Sequence, residues 1–211
     1  AGQLAFVVGS YHLLKHNKGK GVMIGHIDDM DPRVVTVIGA GVAGTQSILK
    51  AIDNKALVKV VDSSQSKLDD LKSKYGTENV EYILSSKDSI QVSVNESDLV
   101  IGSVYVVGKE APKVVTKDML SSMNPGTVMV DVSIDQGGCF ETSKPTTHDS
   151  PTFLENEIVH YCVTNMPGAV PLTATEALNK VSLSYVENLA NNGIQNALDS
   201  DEHLRLSLIH I

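Results

Sequence analysis

The stretch Val34-Val-Thr-Val-Ile-Gly-Ala-Gly-Val-Ala-Gly44 opens with β-branched residues interrupted only by Thr36 and then becomes glycine-rich. Such a run reads as a strand buried on both faces that stops at Gly39, with a helix starting near Val42. In a strand–turn–helix of this kind Gly39 permits the tight turn, Gly41 lets backbone approach a pyrophosphate, and Gly44 lets the helix pack on the strand. The amides around Val42 and Ala43 and the positive end of the helix then form an anion site. Leu57–Val61 reads as a second strand ending at Asp62, eighteen residues past Gly44, where a ribose-binding carboxylate is expected. An acidic residue there repels a 2′-phosphate, which favours NAD over NADP. The bland alternatives are a glycine turn that holds no phosphate and an Asp62 that only caps the helix from residue 64.

Outward from this core the alternation is regular: strand 34–39, helix 42–54, strand 57–62, helix 64–75, strand 79–84, helix 88–95 and strand 98–103. Strands separated by helices of this length imply right-handed crossovers and an α/β, doubly wound parallel sheet of Rossmann type. A loop at 105–115, a short helix Thr116–Met123 capped by Thr116, a fifth strand Thr127–Val132 and a sixth at Glu157–Val163 follow. Leu4, Val7, Tyr11 and Leu14 recur at helical spacing, which predicts an amphipathic lead-in helix over 2–15. Lys15–Gly25 reads as a loop or short hairpin. Thr173–Asp199 reads as one long or broken helix, with Gly193 the expected place of a break and Ala177, Val181, Leu183, Val186, Leu189 and Leu198 on a broad apolar stripe. The expected domains are 1–171, the dinucleotide domain with its lead-in helix, and 172–211, a helical segment.

Composition narrows the function. With 211 residues, 42% hydrophobic and 20% charged, the chain has enough apolar material for one good core. No apolar run approaches bilayer length, so a membrane partner is not expected. A formal net charge of −8 without clustered Lys and Arg argues against nucleic acid. Cys139 and Cys162 match no metal-ligand spacing, no metal is expected, and buried free thiols in a reducing, cytoplasmic compartment are the default. The chain begins without Met and closes on apolar residues, which suggests a piece of a longer polypeptide.

Ligands of an open parallel sheet bind at the carboxyl ends of its strands, so Gly39–Gly44, Asp62, Ser85-Ser86, Val104, Ser133–Gly138 and Asn165-Met166 are expected in one site. The segments Val130-Asp-Val-Ser-Ile-Asp-Gln-Gly-Gly138 and Thr164-Asn-Met-Pro-Gly-Ala-Val-Pro171, with Gly9-Ser-Tyr-His-Leu-Leu-Lys15, resemble the alanine dehydrogenase family, which includes the nucleotide-binding subunit of the proton-pumping transhydrogenase. The resemblance covers essentially the whole chain. It implies NAD-dependent oxidative deamination of L-alanine to pyruvate and ammonium, its reversal, and a homo-oligomer, commonly a hexamer. It further implies that Asp62 binds the adenosine ribose, that Lys67 and Lys144 are basic cofactor contacts, and that Ser85, Val104 and Tyr105 line the cofactor. By the same resemblance, Val132, Ser133, Ile134 and Asp135, with Val163, Thr164, Asn165 and Met166, form two loops around the nicotinamide. Asp135 resembles the catalytic aspartate, and an acid/base group beside the cofactor is what amination and deamination require. The alternative for Asp135 is a turn aspartate capping the Gly137-Gly138 backbone.

The chain departs from the family at Val107-Gly-Lys-Glu-Ala-Pro112, where Pro-Gly-Ala-Lys-Ala-Pro is usual, and at Leu172, where an Arg is usual. No segment matches the upstream lysine, arginine and histidine that serve the substrate in the family, and none of the seven histidines stands in the required position. His12 and His160 read as ordinary helix and strand residues. The expectation is therefore a chain that binds NAD and does not by itself turn over alanine, its last helix belonging to a substrate domain outside the chain. The alternatives are a non-catalytic NAD-binding module and a transhydrogenase nucleotide-binding subunit.

Overall fold

The computed structural model describes residues 1–106 and 109–207. Among them, seven strands form one sheet: β1 Val34–Ile38, β2 Leu57–Asp62, β3 Val80–Leu84, β4 Leu99–Gly102, β5 Val128–Asp131, β6 Thr152–Glu155 and β7 Ile158–Tyr161. Their spatial order is β3-β2-β1-β4-β5-β7-β6, and every neighbouring pair is parallel except β6 with β7. The chain therefore moves outward from β1 to β3, returns to place β4 on the other side of β1, and so opens a crevice at the carboxyl ends of β1 and β4.

Side-chain alternation builds two cores. Val35, Val37, Val58, Val60, Leu99, Ile101, Val128 and Val130 face one side. There they meet Ala5 and Phe6 of α1 (Gly2–His12), Ile48 and Ala51 of α2 (Val42–Asp53), and Leu68 and Leu71 of α3 (Gln65–Tyr75). Ile38, Val61, Val100 and Met129 face the other side. They meet Ile90 and Val94 of α4 (Lys87–Glu96), Met119 and Leu120 of α5 (Lys117–Leu120), and Phe140. Each such side chain contributes about 1.5–3 kcal/mol over leaving it in water. Thr36, the one polar residue of β1, is buried without penalty because its hydroxyl meets Ser97 Oγ at 2.7 Å.

Three expectations need correction. The sheet is not wholly parallel: Phe153 pairs with His160 across a tight β6–β7 turn in which Asn156 and Glu157 both have positive φ, which adds a short antiparallel edge strand to the six parallel ones expected. The lead-in helix stops at His12 and buries a different stripe from the one its large apolar residues suggest. Val7 and Tyr11 are exposed while Gly2, Ala5, Phe6 and Gly9 face inward. The reason is close approach: a Cβ on Gly2 would lie 2.0 Å from the Ala43 carbonyl oxygen, and one on Gly9 would lie 2.5 Å from Leu99 Cδ1. Lys15–Gly25 is a loop, one of the two readings the sequence allows, with a 3-10 turn at Lys15–Asn17. Finally, α5 is a single turn, and Thr116 stands at its cap position without a side-chain bond; Glu141 Oε2 accepts the Lys117 amide instead, at 2.7 Å.

Residues from Pro167 onward form a separate compact unit from Ala1–Met166. Within it α6 (Pro171–Ser200) starts with a proline in its first turn and is broken at Gly193, whose φ of 74° and ψ of 161° are non-helical, as the sequence predicts. Leu172, Leu178, Val181, Val186 and Ile194 are exposed along it. The Asp201 side chain then caps α7 (Glu202–Leu206). Among the described residues no helix is long and apolar enough to cross a membrane.

Candidate functional site

A cleft of about 670 Å³ lies at the carboxyl ends of β1, β2 and β4. Its floor is the glycine turn. Gly39 has φ 92°, and a Cβ there would stand 2.6 Å from the Ser103 carbonyl oxygen; at Gly44 one would stand 1.8 Å from the Gly39 carbonyl oxygen. Protein packing alone therefore demands glycine at both positions. Gly41 differs. Its φ is −72°, which any residue adopts, and a Cβ there would meet nothing within 4 Å. The missing side chain leaves open a space on the cleft wall at the N-terminus of α2, where the amides of the first turn have no intrahelical partner.

Asp62 ends β2 on the opposite wall. Its Oδ2 accepts the Ala40 amide at 2.7 Å and lies 3.4 Å from Lys67 Nζ, while its Oδ1 accepts the Ser64 amide at 2.9 Å. The capping of α3 itself falls to Ser64, whose hydroxyl accepts the Lys67 amide. A carboxylate has more acceptor positions than these bonds fill, so Asp62 retains capacity for hydroxyl donors in the cleft.

Of the predicted site residues, Gly39, Gly41, Val42, Ala43, Asp62, Lys67, Ser85, Val104 and Tyr105 line this cleft, and Gly44 lies beneath it. Val42 and Tyr105 are exposed. Val107 and Gly108 of the departing loop lie outside the described residues. Val132–Asp135 and Val163–Met166 do not line the cleft. They follow β5 and β7, which run parallel to β4, and so emerge at the same edge of the sheet. Ser133 bridges the two regions, its hydroxyl donating to the Val104 carbonyl at 2.8 Å. Ile134, Val163 and Met166 are buried, whereas Asp135, Thr164 and Asn165 are exposed. Lys144 is elsewhere: it lies 3.8 Å from Glu155 and over the Phe153 ring, beside β6.

The Gly137-Gly138 backbone is not capped by Asp135. The Ser133 carbonyl accepts the Gly138 amide at 3.0 Å, and Lys113 Nζ donates to the carbonyls of both glycines. Sequence reasoning also passed over Asp131, wholly buried at the end of β5. It stands inside a segment singled out for other residues, and a strand-end aspartate preceding such a loop was the available signal. Ser103, Pro112 and Val114 are further cleft residues it missed. Cys139 and Cys162 are free and buried, as expected. Burial, reinforced by the Asp131 charge, pushes the Cys139 thiol well up, and burial pushes Cys162 up to about 12.

Residues 5–211 match the family model described as alanine dehydrogenase/PNT, C-terminal domain. The chain is 46% identical over 208 residues to an alanine dehydrogenase of Halomonas elongata, covering 99% of this chain and 56% of that protein. It is 45% identical, with the same coverage of both, to an alanine dehydrogenase of Mycolicibacterium smegmatis. Among solved structures it is similar to an L-alanine dehydrogenase, with a TM-score of 0.91 and 41% identity over 97% of this chain and 56% of the other. A transhydrogenase from Sinorhizobium meliloti, at 20% identity and a TM-score of 0.76 over 97% of this chain and 59% of the other, shares the fold. The chain spans about half the length of the curated relatives it matches. It belongs to the alanine dehydrogenase/PNT C-terminal domain family, whose α/β, Rossmann-like sheet it carries and which is related to the transhydrogenase nucleotide-binding subunit.

Proposed function

We propose that this chain is the NAD-binding domain of an alanine dehydrogenase that interconverts L-alanine with pyruvate and ammonium. Gly41 carries the coenzyme part of this reading: a glycine that neither conformation nor packing requires, at a helix N-terminus beside an open cleft, fits a ligand phosphate that a side chain would displace. The names of the relatives at 45–46% identity support the substrate.

In this reading Gly39, Gly41, Gly44 and the amides of Val42 and Ala43 cradle the pyrophosphate. Asp62 accepts the adenosine ribose hydroxyls, and its charge, only partly offset by Lys67, disfavours a 2′-phosphate. Ser85, Val104 and Tyr105 line the coenzyme, and Val132–Ile134 with Val163–Met166 flank its reacting end. Lys144 is left out of this set, because Glu155 holds it at the sheet edge. When bound, NAD supplies the hydride acceptor for alanine oxidation and, reduced, the donor for pyruvate amination. Asp135 takes up and returns the protons moved at the amino and carbonyl groups.

The sheet is taken as doubly wound, with 1–171 as the coenzyme domain and 172–211 as the return toward a substrate domain that brings the lysine, arginine and histidine this chain does not match. The compact unit Ala1–Met166 supports a boundary close to that one, and the greater length of the relatives supports a further domain. A homohexamer is implied by the resemblance, and a cytoplasmic setting suits two free thiols. The test is NADH oxidation by the complete gene product with pyruvate and ammonium. Turnover is expected, falling about 100-fold or more in Asp135→Asn. Turnover unchanged by that substitution, or NADH bound without reaction, would contradict the proposal.

A further inference from the structure

The loop that carries Asp135 is gripped from two sides by opposite charges. From beneath, the wholly buried Asp131 carboxylate collects the loop's donors. Its Oδ1 accepts the Ser133 amide at 2.9 Å and faces Cys139 Sγ at 3.5 Å. Its Oδ2 accepts the Cys139 amide at 2.8 Å, the Phe140 amide at 3.3 Å and the Ser143 hydroxyl at 2.5 Å. Among the described residues no cationic side chain pairs with Asp131, so these bonds alone compensate its removal from water. From the other side Lys113 donates to the carbonyls of Gly137 and Gly138, the latter at 2.6 Å. The backbone runs alongside: the Ala111 amide donates to Gln136 O at 2.9 Å and the Val114 amide to Cys139 O at 2.8 Å. No hydrogen bond from the described residues reaches the exposed Asp135 carboxylate, so its place is inherited from the turn beneath it.

We propose that Asp131 and Lys113 are positioning residues for the reaction, holding the Ile134–Gly138 turn between a buried anion and a surface cation so that Asp135 is presented at a fixed place. The proposal rests on the reading of Asp135 as the proton-transfer group. Neither residue touches the reacting atoms; both act through the backbone of the turn. The glycine wall follows β1 and Asp62 ends β2, and neither is hydrogen-bonded to Asp131 or Lys113.

The experiment uses the complete gene product and measures kcat for NADH oxidation with pyruvate and ammonium beside the Kd for NADH. Lys113 is exposed, so Lys113→Met should fold. It is expected to lower kcat by about tenfold to 100-fold, the scale on which small misplacements act, while the NADH Kd moves less than about threefold. Lys113→Arg, which keeps the donors and the charge, should restore most of the loss. Asp131→Asn turns an amide NH2 toward the loop's donors and should show the same split. If it does not fold, Ser143→Ala, which withdraws one donor, should show it in milder form. A Lys113→Met protein that keeps kcat within about twofold, while Asp135→Asn is inactive, overturns the clamp and leaves the function standing. So does a loss that falls on NADH affinity as much as on kcat. A wild-type protein that binds NADH without oxidising it overturns the functional reading and the positioning role together.

Discussion

Asp62 closes β2 and Asp131 closes β5, and each accepts the amide two residues further on, from Ser64 and Ser133, both at 2.9 Å. Each also reaches an amide from a distant segment, Ala40 at 2.7 Å for Asp62 and Cys139 at 2.8 Å for Asp131. They part in what surrounds them. Asp62 borders the cleft, with the half-exposed Lys67 beside it, whereas Asp131 is sealed under Cys139, Phe140 and Ser143. Identical local chemistry thus yields a group available to a ligand in one half of the sheet and framework in the other. The deciding factor is whether later chain covers the strand end.

The largest effect that could break this comparison is on stability. Asp131→Ala strands several enclosed donors, each costing about 1–3 kcal/mol, and should lower the unfolding free energy by about 3 kcal/mol or more in urea titrations. Asp62→Ala strands only one buried donor, the Ala40 amide, since Ser64 and Lys67 reach water, and should lose about 1 kcal/mol. Equal losses would show that the two carboxylates are not differently enclosed. Next in size, Asp62→Asn should weaken NADH binding about tenfold by calorimetry, as expected for losing a charged acceptor, with the thermal midpoint little changed. An unchanged affinity would reduce Asp62 to framework as well.

The smallest effect is a pH dependence from two enclosed imidazoles. His160 Nδ1 faces the Ile158 carbonyl at 3.1 Å and must donate to it, leaving Nε2 to accept the Thr142 hydroxyl at 2.8 Å. Burial holds both His160 and His12 below the usual imidazole range. The unfolded chain therefore takes up protons near pH 6.5 that the native state resists. Stability from these groups is complete above pH 7 and is lost as the pH falls from there toward the lowered native values. Urea midpoints at pH 7 and pH 5 should differ in that sense, and less so in a His12→Gln/His160→Gln protein. A drop of the same size in both would remove the histidines from the explanation.

The wall of the cleft was legible because its signal is local: a β-branched run, glycines at fixed offsets and an acidic strand end all lie within Val34–Asp62. What was missed depends on distant chain. Helix α1 turns Gly2 and Gly9 inward because α2 and Leu99 come close, and no periodicity of large apolar residues records that. The β6 edge strand is only Thr152–Glu155 and shows no pattern long enough to separate it from loop. Lys113 holds the Gly137 and Gly138 carbonyls and Asp131 the Ser133 and Cys139 amides that flank the same turn, although the two lie 18 positions apart, a relation that no spacing rule encodes. Conversely, Gly193 and Pro171 act through their own backbone, and the start and break of α6 fall where they stand.

Titration of this chain with NADH beside its Gly41→Val form tests the central claim most directly. A valine at φ −72° with nothing within 4 Å of its Cβ should leave thermal unfolding unchanged. The native chain should bind one NADH with a saturable change in fluorescence, and the variant should lose that affinity by 100-fold or about 2.7 kcal/mol. Equal binding by the two proteins, or no binding by the native chain, would contradict it.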